Sequence, residues 1–429
     1  MVCVLRGVQI VWGDEIYRIS RSRGWPIDAV RTVRKPNLAM VFAFPKDSGV
    51  ARLLAGVWLV MMGNGLLLVL FGVRSTQAGF GPQITSYVFA GYYVGFVAGS
   101  RVAPRVIGRV GAPSAFTLVC AGVVVVAALP PTLVTAWFWV LLRVAQGFLF
   151  AALYVITESW LNRVAENENR ARVLGVYVVL VMVGFAVGSL AYQFTGSKGT
   201  LPFLVAATFC LLATLCTFKM ASPPSSRTPD VVIKMVELSQ LSPVGVASTF
   251  LTALANAAFL SSVAVYATLV GYSQTQTAWF SFLSAVGPLF LQGPLARSSD
   301  RYSRHRVLAG ATLLTAAVAM GGAFGPVGGW LPFLGVFVLG GLTYTQYSLN
   351  GATVNDRLRP EQMPSAGSHL VLVGGAGALF GTLLVGPASR RYGTDGFFLV
   401  VALAHLAVAA CVAAHYYAAR SPVSRTKRA

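Results

Sequence analysis

Arg143 stands about ten residues into an apolar stretch over 133–155, and no other Lys or Arg lies so deep in any such stretch. In a membrane helix, a guanidinium at this depth costs a few kcal/mol on insertion scales unless it faces a wet cavity or a partner. Gln146, Gly147, Phe150 and Tyr154 follow at spacings of three, four, seven and eleven, which puts them on the arginine's face of a helix. The chemistry on offer is attraction of a carboxylate or other anion, with planar two-pronged contacts that lysine would not reproduce. The alternative is an arginine that caps neighbouring carbonyls and meets no solute.

Other polar residues inside apolar stretches are Asn64, Asn256, Tyr266, Gln292, Tyr344, Gln346, Tyr347, His369 and His405. Interhelical hydrogen bonding accounts for most side chains of this kind in membrane bundles. Asn64, Asn256, Tyr344 and His369 join Arg143, Gln146 and Tyr154 as candidate cavity residues. His369 is singled out because imidazole titrates near neutral pH and no Asp or Glu occupies the middle of any apolar stretch. If protons drive the cycle, an ordinary buried carboxylate does not carry them.

A second group sits at stretch ends. Glu158 and Asp356 close the fourth and tenth stretches, while Arg105, Asp300 and Arg301 stand in basic segments after the second and eighth. Pairing among them would latch one face of the molecule shut; otherwise they are interfacial charges worth roughly 0–1 kcal/mol per exposed pair. Gly175, Gly184 and Gly188 mark the fifth stretch, and Gly377 and Gly381 the eleventh. The two Gly-x-x-x-Gly pairs fall at equivalent places, where small residues let helices approach closely, and they are expected to pack the two halves of the chain together.

The elements that must position these residues follow from composition. With 56% hydrophobic and 11% charged residues and a mean hydropathy of +0.69, a soluble chain of 429 residues would carry more apolar surface than one core can hide. An all-α polytopic membrane protein is expected. Crossing roughly 30 Å of hydrocarbon takes about 20 helical residues. Candidate spans of that length lie near 50–73, 84–103, 113–131, 133–155, 173–194 and 201–218, then near 242–270, 277–296, 307–326, 330–350, 367–388 and 396–417. This divides the chain into an N-terminal six-helix bundle over 50–218, a linker over 219–241, a C-terminal six-helix bundle over 242–418 and a basic tail over 419–429. Pro223 and Pro224 open the linker, and the amphipathic stretch Val231–Leu241 is suited to a membrane surface. Residues 1–49 hold no continuous apolar stretch ahead of a small-residue cleavage site and read as a basic cytoplasmic extension without regular structure. Met40 offers an alternative start.

With the N-terminus cytoplasmic, the inner loops and C-terminal tail hold nineteen Lys and Arg residues and the opposite face four: Arg74, Lys198, Arg390 and Arg391. That bias places both termini and the linker inside. The net charge of +20 does not point to nucleic acid, because the basic residues are spread over loops and termini. Four of five cysteines, Cys120, Cys210, Cys216 and Cys411, sit in apolar runs and Cys3 stands alone, so neither a disulfide framework nor a zinc spacing follows. Without a Walker, metalloprotease or nucleophile-elbow motif, no metal, cofactor or enzymatic activity is expected.

Six spans, a mid-chain linker and six more form the internal repeat of major facilitators. Local motifs carry the same resemblance. Arg143-Val144-Ala145-Gln146-Gly147 resembles the RxxQG motif of that superfamily, with Ala151 where a small residue is usual. Gly175, Gly184 and Gly188 reproduce its antiporter spacing, although Ser189 replaces the proline, and Ser299-Asp300-Arg301 is similar to its loop signature. The first copy of that loop, with Ala103-Pro104, lacks the acidic residue. Gly63-Asn64-Gly65-Leu66, Tyr93-Val94-Gly95-Phe96, Glu158-Ser159-Trp160-Leu161-Asn162 and Asn355-Asp356-Arg357-Leu358 resemble the YcaD-like bacterial branch over about 50–390. The resemblance implies a major facilitator fold of twelve transmembrane helices in two six-helix pseudo-repeats. It also implies a rocker-switch carrier of the bacterial inner membrane, working as a monomer in the lipid bilayer on a small-molecule substrate. Export of an amphipathic compound is preferred over uptake, and H+ is the candidate coupling ion. Uptake by the same fold, and a channel or receptor without coupled transport, are the other readings.

Overall fold

The computed structural model describes residues 8–12, 15–19, 31–34, 48–164, 170–220 and 233–418. It divides into two compact units, Met1–Ser48 and Gly49–Ala429. The first contains an antiparallel sheet of β1 (Val8–Trp12), β2 (Glu15–Ile19) and β3 (Arg31–Arg34), in that order. Val8 lies opposite Ile19 and Arg18 opposite Arg31. The expectation of no regular structure is therefore corrected for these residues. The missed signal was a run of β-branched and aromatic residues on either side of a Gly-Asp pair, which favours strands and a hairpin.

The second unit is helical: α1 (Ser48–Gln77), α2 (Pro82–Val110), α3 (Ala112–Ala128), α4 (Ala136–Val164), α5 (Arg170–Thr195), α6 (Leu201–Thr217), the short α7 (Met235–Leu241), α8 (Pro243–Leu269), α9 (Gln274–Arg301), α10 (Arg304–Phe324), α11 (Leu331–Asn355), α12 (Met363–Tyr392) and α13 (Gly396–Ala418). The twelve long helices fall on the twelve expected spans. Several overrun them by one or two turns, since charged residues end a membrane span without ending a helix. Thus Arg105 lies inside α2, and Asp300 and Arg301 in the last turn of α9, where loops were expected. Proline sits in the first turn of α2, α3, α6, α8, α11 and α12, where its missing N–H costs nothing. Ser273 and Gln276 close a reciprocal capping box at the start of α9, satisfying two otherwise orphaned donors.

Glycine contacts reveal the repeat. A Cβ on Gly95 would strike the carbonyl of Val144, and one on Gly147 the carbonyl of Tyr92, so α2 and α4 touch backbone to backbone. In the second half Gly287 meets Phe337 and Gly340 meets Ser284, which binds α9 to α11 in the same way. Likewise Gly184 and Gly188 of α5 meet Trp58 and Met62 of α1, and Gly377 and Gly381 of α12 meet Phe250 and Leu254 of α8. Matching glycines are 193 residues apart (340 less 147, 381 less 188) or 192 (287 less 95).

These contacts correct one expectation. The Gly-x-x-x-Gly pairs pack each half internally, not the halves together, and a Cβ on Gly175 would meet nothing. The seam between halves runs along α2 with α12 and α5 with α9. At the end away from the linker, Gln274 Nε2 donates to the carbonyl of Gln193 at 2.8 Å, Gly72 abuts Ala264 and Gly386 abuts Ser86.

Helix α7 also departs from expectation. Leu238 buries its side chain in a cluster with Ile233, Val354, Ala366 and Leu370, so this stretch covers the ends of α11 and α12. A membrane surface is not its partner on that face, although Val236 is exposed.

Candidate functional site

Arg143 is 2% exposed and Gln146 fully buried. The close approach of α4 to α2 delivers Tyr92 to within 4.8 Å of the guanidinium carbon. Phe71 from α1 and Phe89 from α2 complete a box at 5.1 and 5.3 Å. Ring faces attract a cation, and more strongly once water is gone. Nη1 donates to Gln146 Oε1 at 2.7 Å, and Gln146 Nε2 donates to Asn64 Oδ1 at 3.1 Å. Asn64, Gln146 and Arg143 therefore form one chain from α1 to α4, as the sequence grouped them.

Two features of this chain point to a ligand. The Nε of Arg143 is buried without a hydrogen-bond partner. Among the described residues no carboxylate pairs with this arginine, since the single ion pair is Arg304–Asp356. A buried cation without a counter-charge is expensive, and rings plus one amide offset only part of that cost.

Below the arginine the rings continue. Tyr92 and Phe150 lie 6.1 Å apart, Phe150 and Tyr154 6.4 Å, and Phe96 and Tyr154 6.2 Å. Tyr154 rests its hydroxyl on Met61 Sδ at 3.7 Å. Tyr344 of the second half comes within electrostatic reach of Tyr92, Tyr93 and Tyr154. Tyrosines from both halves thus converge beneath Arg143. Sequence reading missed Phe71, Phe89, Tyr92 and Tyr93; the available signal was Phe89, Tyr92 and Phe96 at spacings of three and four on one helix face.

The other candidates separate from this cluster. Asn256 is half-buried with Oδ1 unpartnered; it stands 192 residues after Asn64 (256 less 64), as its repeat counterpart. His369 is not a cavity residue: its Nε2 lies 2.9 Å from the carbonyl of Ile233, and Ser365 Oγ accepts from the Ile233 amide at 3.1 Å. Both side chains tether the linker to α12. Gln346 donates to Thr315 at 2.7 Å and Asn350 to Thr252 at 2.9 Å, which is interhelical glue.

The expected latch is not assembled. Asp356 pairs with Arg304 at 2.7 Å within its own half. Arg105 donates to the carbonyl of Arg101 on its own helix, and Glu158, Asp300 and Arg301 are exposed. Nor do Glu158 and Asp356 match in the repeat, because the 193-residue register sets Gly351 opposite Glu158 (351 less 158).

The sequence matches the Major Facilitator Superfamily profile over residues 53–243 and 245–429. It is 24% identical over 353 residues to the MFS-type transporter YfkF of Bacillus subtilis (strain 168), covering 79% of this chain and 88% of that protein. It is 22% identical over 369 residues to the MFS-type transporter YcaD of Escherichia coli O45:K1 (strain S88 / ExPEC), covering 82% and 91%. The fold is similar to that of the nucleoside transporter NupG, with a TM-score of 0.72 at 12% identity over 87% of this chain and 99% of that one. A D-xylose-proton symporter gives 0.66 at 11% identity over 84% and 96%. With both six-helix halves matched and the repeat visible in the glycine contacts, this multi-pass membrane chain belongs to the Major Facilitator Superfamily.

Proposed function

We propose that this protein is a secondary active transporter of the bacterial inner membrane that moves a small organic anion, or an amphipathic solute with an anionic group, by alternating access. The buried arginine, with no carboxylate partner among the described residues, carries this reading. Arg143 anchors the negative group, Gln146 and Asn64 hold the arginine in place, and the tyrosines from both halves cover the rest of the solute. Export is favoured over uptake because the fifth helix keeps the glycine spacing of the antiporter motif, while Ser189 in place of proline weakens that preference. Both termini face the cytoplasm, on the bias of nineteen basic residues to four. With His369 engaged by the linker, proton coupling, if it operates, runs through the solute or the arginine site.

A screen of organic anions in proteoliposomes, with and without an imposed pH gradient, tests the reading. Saturable flux of a carboxylate in the wild type that is lost in Arg143→Ala at equal protein abundance supports it. Undiminished flux in that variant overturns it. Labelling of a cysteine at position 226 from outside intact cells would overturn the orientation.

A further inference from the structure

A cavity of about 70 Å³ lies at the end of the bundle away from the linker, between the last turns of α1, α8 and α12 and the first turns of α2 and α13. On the same measure a single water needs roughly 10–15 Å³, so there is room for a ligand of several heavy atoms. Phe89 belongs to both sites: it lines this cavity and boxes Arg143.

The lining has a definite hydrogen-bonding polarity. Thr76, Thr85, Ser86, Ser261 and Ser262 all contribute hydroxyls. Each hydroxyl has one proton and two lone pairs, and each of these five gives its proton to a backbone carbonyl, while Ser389 adds a further hydroxyl to the lining. Thr76 donates to Gly72 at 3.1 Å, Thr85 to Phe80 at 3.3 Å, Ser86 to Gln83 at 2.8 Å, Ser261 to Ala257 at 2.8 Å and Ser262 to Ala258 at 2.7 Å. What these five offer a ligand is acceptors.

Charge and rings point the same way. Thr394, also in the lining, donates to the carboxylate of Asp395 at 3.4 Å, which sets a negative charge at the rim. None of the basic residues at this end lines the cavity: Arg390, Arg391 and Lys198 are exposed, and Arg74 donates to the carbonyl of Ser197 at 3.0 Å. Phe80, Phe89, Tyr266 and Phe397 supply aromatic surface, which attracts cations.

We infer that this cavity is a binding site for a small primary ammonium group, whose three N–H donors match the five hydroxyls left as acceptors between aromatic walls. The site is separate from that of Arg143 and opposite in sign. A quaternary ammonium has the charge without the donors and fits poorly; a carboxylate faces the lone pairs of five hydroxyls and the nearby Asp395 and is disfavoured.

Purified full-length protein in lipid nanodiscs, probed with radiolabelled ethylammonium in a scintillation proximity assay, tests this. Saturable binding is expected, displaced by unlabelled ethylammonium and at least tenfold less well by tetramethylammonium or acetate. Ser262→Leu, which fills the cavity, is expected to reduce binding at least tenfold, and the milder Ser86→Ala at least threefold. Arg143→Ala is expected to leave ethylammonium binding unchanged while abolishing anion flux, so the two sites fail or stand separately. Lack of saturable binding overturns the assignment, as does equal displacement by tetramethylammonium or binding indifferent to both serine substitutions.

Discussion

In the first half of the chain, α4 buries Arg143 and Gln146 against rings from α1 and α2. In the second half the 193-residue register places Val336 and Leu339 of α11 in their positions (336 less 143, 339 less 146), 4% and 1% exposed. The 192-residue register of α1 with α8 and α2 with α9 sets Val263, Ser281 and Ser284 opposite Phe71, Phe89 and Tyr92 (263 less 71, 281 less 89, 284 less 92). Four of the glycine contacts of one half recur in the other, Gly95 with Gly287, Gly147 with Gly340, Gly184 with Gly377 and Gly188 with Gly381. The charged side chain and its aromatic box occur once. Packing is thus specified by the repeat and, on the proposed function, solute chemistry by its violation, so substitutions at shared positions and at unshared ones are expected to behave differently.

The largest effect belongs to the unshared position. Arg143→Ala is expected to weaken solute engagement by about 2–5 kcal/mol, as loss of one partner from a buried charge pair does, with membrane abundance little changed. Arg143→Lys is expected to rescue poorly, since a compact ammonium cannot reproduce two-pronged contacts. Flux in proteoliposomes at matched protein levels measures both, and near-normal flux in the alanine variant would remove the asymmetry from function.

Shared positions come next. Gly188→Leu and Gly381→Leu each drive a side chain into a facing carbonyl, and overpacking costs about 1–3 kcal/mol or more. Both halves are expected to lose stability alike, read as equal falls in thermal midpoint in detergent; a marked inequality would break the comparison.

Gln146→Leu copies the second half into the first. It strands Arg143 Nη1 and Asn64 Oδ1, a loss of about 1–2 kcal/mol, and is expected to lower solute affinity while Leu339→Met, which keeps volume and polarity, leaves affinity alone. Competition binding with an anion identified in the flux screen separates the two.

Much of this was legible in the chain. Twelve apolar stretches fell on twelve helices because hydrocarbon thickness sets a length that composition reports directly. Asn64, Gln146 and Arg143 were grouped correctly, two of them on one helix face. Phe71 was invisible, and although Phe89 shares a helix face with Tyr92 and Phe96, nothing in a single sequence says that this face turns toward Arg143. The Gly-x-x-x-Gly pairs were recognised as close-packing devices yet given the wrong partner, since spacing encodes closeness and not identity of the neighbour. His369 was misplaced for a similar reason: titration chemistry drew attention to it, but its neighbour is the linker residue Ile233, distant in sequence.

The smallest effects concern the face nearest the linker. Asp356→Asn removes the half-exposed pair with Arg304 and is expected to cost about 0.2–1 kcal/mol. Asp300→Asn and Glu158→Gln remove exposed charges without an ion-pair partner among the described residues and are expected to change stability less still. Cysteine accessibility at the ends of α2, α4, α9 and α11 compares these three variants and the double variant Asp300→Asn/Glu158→Gln with the wild type. A shift toward greater exposure in the double variant Asp300→Asn/Glu158→Gln would show that these carboxylates hold that face closed in another state of the cycle.

If Arg143 anchors the solute as proposed, its isolation from any carboxylate among the described residues would also make the carrier an electrical device. A fixed cation within the bilayer changes its position in the transmembrane field whenever the barrier passes from one side of it to the other, and one full charge is worth about 2.3 kcal/mol per 100 mV. Loaded with a monoanion, the site is neutral and its reorientation is indifferent to voltage. Empty, it carries the whole charge, so the membrane potential acts on the return step and biases which side the vacant carrier faces.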